Sequence, residues 1–155
     1  MSQSETPWLD EREMQVWRRW LRVQTELPAA LSRALHADGT DLSLQDFETL
    51  VRLSEAPEGR LRISVLAEQM HWERSRLSHH LRRMAGRQLV CKQDCTDDGR
   101  GAFVSITDAG QDALAGAAPG HVRAVREYFL DGVDADELAA LDRVLERILE
   151  RTAAE

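Results

Sequence analysis

Seven polar side chains crowd into ten residues: Arg74, Ser75, Arg76, Ser78, His79, Arg82 and Arg83. All can donate hydrogen bonds, and the four arginines carry a fixed positive charge. A guanidinium pairs bidentately with phosphate or with O6 and N7 of guanine, and hydroxyl or imidazole groups serve phosphates and base edges alike. Placed at 100° per residue, Glu73–Arg87 reads as a helix with two sides. Leu77, Leu81, Met84 and the following Gln88 fall on one side and face a core. Ser75, His79 and Arg82 fall opposite, Arg76, Ser78 and Arg83 flank them, and Arg74 sits near the N-terminal end. His80 lies at the core edge and reads as structural. Glu73 is placed to cap the helix or meet its dipole.

A second cation stands in a different setting. Thr96–Gly101 reads as a hairpin tip with Arg100 between two glycines. An arginine on a thin loop can enter a minor groove, where the potential is most negative. Asp98, two residues earlier, can hold its guanidinium in place.

Charge distribution supports a polyanionic partner where net charge does not. The 155-residue chain carries a net charge of −7. Yet Glu58–Gly101 holds eight Arg and one Lys against six Asp and Glu, and Trp72–Arg87 holds five Arg against one Glu. A basic island on an acidic chain suits a nucleic-acid reader on a soluble scaffold. No apolar run is long enough for a membrane span, and the polar, acidic N-terminus has no secretion-signal pattern, so a cytoplasmic location is expected.

The flanking elements must position these residues. Asp10–His36 is an amphipathic helix that Pro28 should kink or split. Trp8, Trp17 and Trp20 load its first half with apolar surface, which points to burial against a second subunit. Ser43 can cap a helix over Leu44–Glu55 whose buried face is Leu44, Phe47, Leu50, Val51 and Leu53. Arg60–Arg62 can form a short strand, and Ile63–Met70 a two-turn helix joined tightly, through His71 and Trp72, to the basic helix. Leu89–Asp94 and Ala102–Ile106 read as hairpin strands. Thr107 can cap a helix to about Leu130, interrupted at Pro119–Gly120. Asp134 and Glu137 form a capping box for a last helix with Leu138, Leu141, Leu145, Ile148 and Thr152 on one seam. The fold class is therefore mainly α with a small β-hairpin wing. Residues 39–107 form a winged helix-turn-helix, and 1–38 and 108–155 form a helical dimerisation region.

Three stretches resemble the MarR family of regulators: LSLQDFETLVRL, ISVLAEQMHWERSRLSHHLRRMAGRQLV and DDGRGAFVSITDAG. The last resembles the family's wing signature, here Asp98, Arg100, Ile106, Thr107 and Gly110. The resemblance implies a homodimer on a pseudo-palindromic operator in double-stranded DNA, usually as a repressor. It further implies that Arg100 is the minor-groove residue. Release would come from a small aromatic ligand in a cleft between the dimerisation and DNA-binding parts, from oxidation, or in some members from metal. This chain departs from the pattern at His71, where glycine is usual, at Trp72, at Glu73 in place of a small polar cap, and at His79 in place of arginine.

Other chemistries find little footing. Cys91 and Cys95 on one extended strand would stand about 13 Å apart, too far for a disulfide, and read as structural thiols. The five histidines lack close metal spacing, and no cofactor or metal is expected. No phosphate-binding glycine loop or nucleophile–base pair supports an enzyme. The alternative is a winged-helix protein-interaction module without DNA binding, whose recognition face would be neutral or acidic.

Overall fold

The structure, a computed structural model, describes residues 8–94 and 101–153. The chain opens with α1 (Glu11–Ala37) and α2 (Leu44–Glu55), followed by a single 3-10 turn at Pro57–Gly59. β1 (Arg60–Arg62), α3 (Ile63–Met70), α4 (Arg74–Gly86) and a hairpin of β2 (Val90–Asp94) and β3 (Ala102–Ile106) come next. α5 (Asp108–Val125) and α6 (Ala135–Ala153) close the chain, separated by a π-helical turn at Arg126–Leu130. β3 lies between β1 and β2, antiparallel to both, with Val104 opposite Leu61 on one side and Lys92 on the other. The short strand ahead of α3 and the hairpin after α4 thus share one sheet.

The core lies where α2, α3, α4 and the sheet meet. Leu50, Leu53, Leu66, Leu77, Leu81, Met84 and Val104 are wholly buried there. Val51, expected with the buried face of α2, is only half-buried at the rim. α2, α5 and α6 carry their expected caps. Ser43 and Asp46 satisfy one another's backbone N–H groups at 3.0 Å, and Asp134 and Glu137 do so at 2.8 and 3.0 Å. Thr107 Oγ1 accepts from Gly110 N–H at 3.0 Å. Gly110 is required sterically, because a Cβ there would overlap the Leu89 carbonyl that already accepts from Thr107 N–H.

Two expected interruptions fall elsewhere. α1 runs unbroken through Pro28, and α5 through Pro119. A proline removes one helical hydrogen bond; the alanine-rich surroundings of both sites are the strongest helix formers. In α5 the small residues Ala117, Gly120 and Ala124 also form a buried stripe. A Cβ at Gly120 would overlap the Asp38 carboxylate, which itself accepts from Arg123 at 2.9 Å. That close approach locks the end of α1 onto α5. The real break is the π turn, where Asp131 N–H reaches back five residues to the Arg126 carbonyl at 2.7 Å.

The terminal helices are differently finished. None of the described residues of α6 is buried, and Leu138, Val144, Ile148 and Leu149 are exposed. On α1, Val16, Trp17, Trp20 and Leu21 are exposed too. Among the described residues, no helix is long and apolar enough to cross a membrane.

The turn between α3 and α4 carries strain. His71 caps α3 with φ 51° and ψ 41°, a left-handed conformation that favours glycine. His71→Gly should stabilise the fold by about 0.5–1 kcal/mol after the larger unfolded-state entropy of glycine is subtracted. A thermal melt should show a rise in Tm of about 2 °C; an unchanged or lower Tm would show the turn to be unstrained.

Candidate nucleic-acid interface

α4 is held to the body by its underside. Leu77, Leu81 and Met84 are fully buried, and His80 is buried beside them. Gln88 does not join this stripe. The helix ends at Gly86, Gln88 turns left-handed at φ 61° and is exposed, and Leu89 fills the core position. Glu73 occupies the N-cap position, but its side chain makes no capping hydrogen bond.

The other side of α4 presents the expected row. Arg74, Ser75, Arg76, His79, Arg82 and Arg83 are exposed and Ser78 is half-buried. Among the described residues, no carboxylate pairs with Arg74, Arg76, Arg82 or Arg83. Arg76 lies over the Trp72 ring, 4.0 Å from its centroid, and Arg83 Nη2 stands 3.4 Å from His80 Nδ1. The guanidiniums are therefore left with donors for an external anion. A cavity of about 340 Å³ opens beside the row, between Ser43 and Gln45 of α2 and Trp72, Arg76, His79 and Arg83. Asp98, Arg100 and Cys95 lie outside the described residues. Cys91 is exposed on β2 rather than built into the core, because its strand position faces away from the sheet's covered side. Among the described residues, no group of three or more His, Cys, Asp or Glu side chains is arranged to hold a metal ion.

Sequence reasoning missed two features of this surface. The first is Arg62. It stacks 4.9 Å over Phe103 and its Nη1 borders Gly101, so β1 adds a cation at the root of the wing. Only the β1–β3 pairing brings it there, and that pairing has no local signal. The second is Asp46, which is buried. Its Oδ2 accepts from Arg87 Nη1 at 2.7 Å and from Ser43 N–H at 3.0 Å, and its Oδ1 stands 3.4 Å from His80 Nε2. Arg87 also donates to the Asp41 carbonyl at 2.7 Å. Of the five arginines in the basic segment, this one is spent on a structural tie to a carboxylate, although its side chain stays partly exposed.

The electrostatics follow from these contacts. Burial would raise the Asp46 carboxyl, but hydrogen bonds from Ser43 and Arg87 outweigh it and hold the group below its ordinary 3.8. Burial pushes His80 below 6.5, and Arg83 and Arg76 add to that; Asp46 and the Gln45 carbonyl pull the other way without prevailing. His121 on α5, stacked 4.4 Å from Phe47, is lowered by burial against the opposing pull of Glu48.

Two relatives above 30% identity decide the kinship, and a family model and the fold agree with them. The MarR family model matches residues 42–101. AbsC, a MarR family transcriptional regulator from Streptomyces coelicolor, is 37% identical, with 97% of this chain and 100% of that chain covered and a TM-score of 0.87. The chain belongs to the MarR family. Sco3205, a second family member from Streptomyces coelicolor, was solved in complex with DNA; it is 35% identical over 95% of this chain and 91% of its own, with a TM-score of 0.87. A mutant MarR from E. coli complexed with operator DNA shares the fold at 18% identity, with a TM-score of 0.77 over 92% of this chain and 99% of that one. No curated protein matches in a sequence comparison. MarR-family members are transcriptional regulators rather than enzymes, and this one is a DNA-binding-type regulator by family and fold.

The lowered histidines give this MarR protein a pH signature. A base whose folded pKa lies below its unfolded value contributes stability that is complete above the unfolded pKa and lost as pH falls through the folded one. His80 and His121 both have this sign, with an unfolded value of 6.5. Asp46 adds a further loss below 3.8, also towards acid. Thermal melts should therefore show a Tm that is constant above the ordinary histidine value of 6.5 and falls as the pH drops below it. His121→Phe should flatten part of the acid decline. A Tm indifferent to pH across that window would contradict the burial of both rings.

Proposed function

We propose that this protein is a sequence-specific transcriptional repressor that binds a pseudo-palindromic operator in double-stranded DNA as a homodimer. The observation that carries the reading is the row of unpaired guanidiniums standing outward on α4 above a fully buried underside. Kinship with Sco3205, solved on DNA, supports the same reading. In this proposal α4 enters the major groove, which is about 12 Å wide and accepts one helix. Arg74, Ser75, Arg76, Ser78, His79, Arg82 and Arg83 share base edges and phosphates, and Arg100, steadied by Asp98, enters the minor groove. A protein-interaction module without DNA binding would not need an arginine row free of carboxylate partners.

Residues 39–107 act as the DNA-reading unit, and 1–38 with 108–155 as the dimerisation region. Support comes from α6, which buries nothing in the single chain, and from the exposed apolar residues of α1. An amphipathic helix with an uncovered apolar seam is stable when a partner covers it. A small aromatic ligand is the proposed releasing signal. A cavity of about 510 Å³ between α1 and the π turn, inside the proposed dimerisation region rather than between it and the DNA-reading unit as the resemblance implies, has apolar walls of Val23, Leu27, Ala30 and Phe129, with Tyr128 and Arg22 at hand for a polar group. The protein acts in the cytoplasm, where its DNA is.

Fluorescence anisotropy on genome-selected duplexes tests the reading. Arg82→Ala or Arg100→Ala should weaken specific binding by about 1–3 kcal/mol while leaving the dimer intact. Affinity should fall steeply with salt as counterions are released, and footprints should show two half-sites about one helical turn apart. Ile148→Arg should yield monomers by ultracentrifugation and abolish the paired footprint. Wild-type protein that prefers no duplex even at low ionic strength would overturn the proposal.

A further inference from the structure

We infer that Trp72 is a positioning residue for Arg76, holding its guanidinium ready for DNA before the duplex arrives. The inference rests on the DNA-binding reading above and adds a source of specificity to it. Trp72 is half-buried in the turn ahead of α4. Its backbone is fixed, since its N–H donates to the Ala67 carbonyl at 2.9 Å. Its ring is fixed as well: the buried His80 ring meets it edge to face, at 5.2 Å between centroids and 81° between planes. His80 is in turn held against Asp46. The indole is therefore a rigid shelf reaching from the core to the outer face of α4.

Arg76 rests on that shelf, its Cζ 4.0 Å from the ring centroid. Exposed arginines ordinarily sample many rotamers, and ordering one on binding costs affinity. A cation over an aromatic face is attracted by the ring quadrupole, and that attraction uses none of the guanidinium's N–H donors in a hydrogen bond. Those donors remain for a guanine edge or a phosphate. Among the described residues Arg74 and Arg82 have no such support and Arg83 meets only the His80 ring nitrogen at 3.4 Å, so Arg76 is the arginine of the row that is set over an aromatic face in advance.

The test uses full-length protein and the duplex it selects from random sequence. Trp72→Leu keeps apolar bulk without a π face; Trp72→Phe keeps a face. Trp72→Leu should weaken binding about tenfold, the scale of ordering one long side chain together with one exposed cation–π contact. It should also flatten base preference at the same position as Arg76→Ala, and Trp72→Phe should restore most of both. In an Arg76→Ala background, Trp72→Leu should cost nothing further. Wild-type affinity in Trp72→Leu, or an equal loss with and without Arg76, overturns the inference; the latter would mark Trp72 as a packing residue only. Failure of the wild type to select any duplex overturns the DNA reading itself and this inference with it.

Discussion

The geometry of the reading face depends on one buried carboxylate. Asp46 sits at the third position of α2, where it closes the helix cap with Ser43, and it also receives Arg87 from just past the end of α4 and faces His80 on the middle of α4. One side chain thus joins the start of one helix to two points on another. A buried anion would be costly alone, but here it accepts backbone, hydroxyl and guanidinium donors together. Leucines 77 and 81 and Met84 supply the adhesion, which is not directional. Asp46 supplies direction: sliding α4 along its axis would break the Arg87 and His80 contacts at once. What α4 presents to solvent is therefore set from behind.

The same logic separates two sets of arginines that look alike in sequence. Arg87 and Arg60 have carboxylate partners, at 2.7 and 2.6 Å. Arg74, Arg76, Arg82 and Arg83 have none among the described residues. A protein with an acidic surplus could readily have neutralised them, since it carries 27 Asp and Glu against 20 Lys and Arg. Leaving a positive row unpaired stores local repulsion, which a polyanion relieves on binding.

Much of this was legible from local pattern. α2, α3 and β3 begin and end where their caps and periodicity place them, because Ser43, Thr107 and the apolar spacing are signals read within a few residues. The inward and outward sides of α4 follow the wheel, including the split between exposed His79 and buried His80. Errors arose where tertiary context overrides a local rule. Pro28 and Pro119 read as breaks, yet alanine-rich helix formers and the packing of Gly120 on Asp38 carry both helices through. Gln88 fits the wheel but lies beyond a helix that stops two residues sooner. Asp46 and Arg62 gave no signal, because their partners lie 41 residues away in one case and across a sheet in the other.

The helices at the two chain ends pose the complementary problem. α1 is tied to α5 through its last turn, by the Asp38–Arg123 pair and the bare backbone at Gly120, and α5 is tied to α2 of the reading unit by the Phe47–His121 ring contact. These contacts are small in area but specific in geometry; the first two lie within the proposed dimerisation region, and the Phe47–His121 contact crosses from it to the proposed DNA-reading unit. In a symmetric dimer, the spacing of the two α4 helices is set by how each subunit's reading unit hangs from the shared helices. A ligand lodged between α1 and the π turn would press on the same α1 whose end is fixed to α5, and α5 carries the joint to α2. Rotation at that joint would change half-site spacing without altering any side chain on α4, because α4 takes its bearings from Asp46 inside the reading unit. Recognition and release would then be separable: in the proposed reading, base preference would be written on α4, and the response to a signal in the few contacts around Asp38, Gly120 and Phe47.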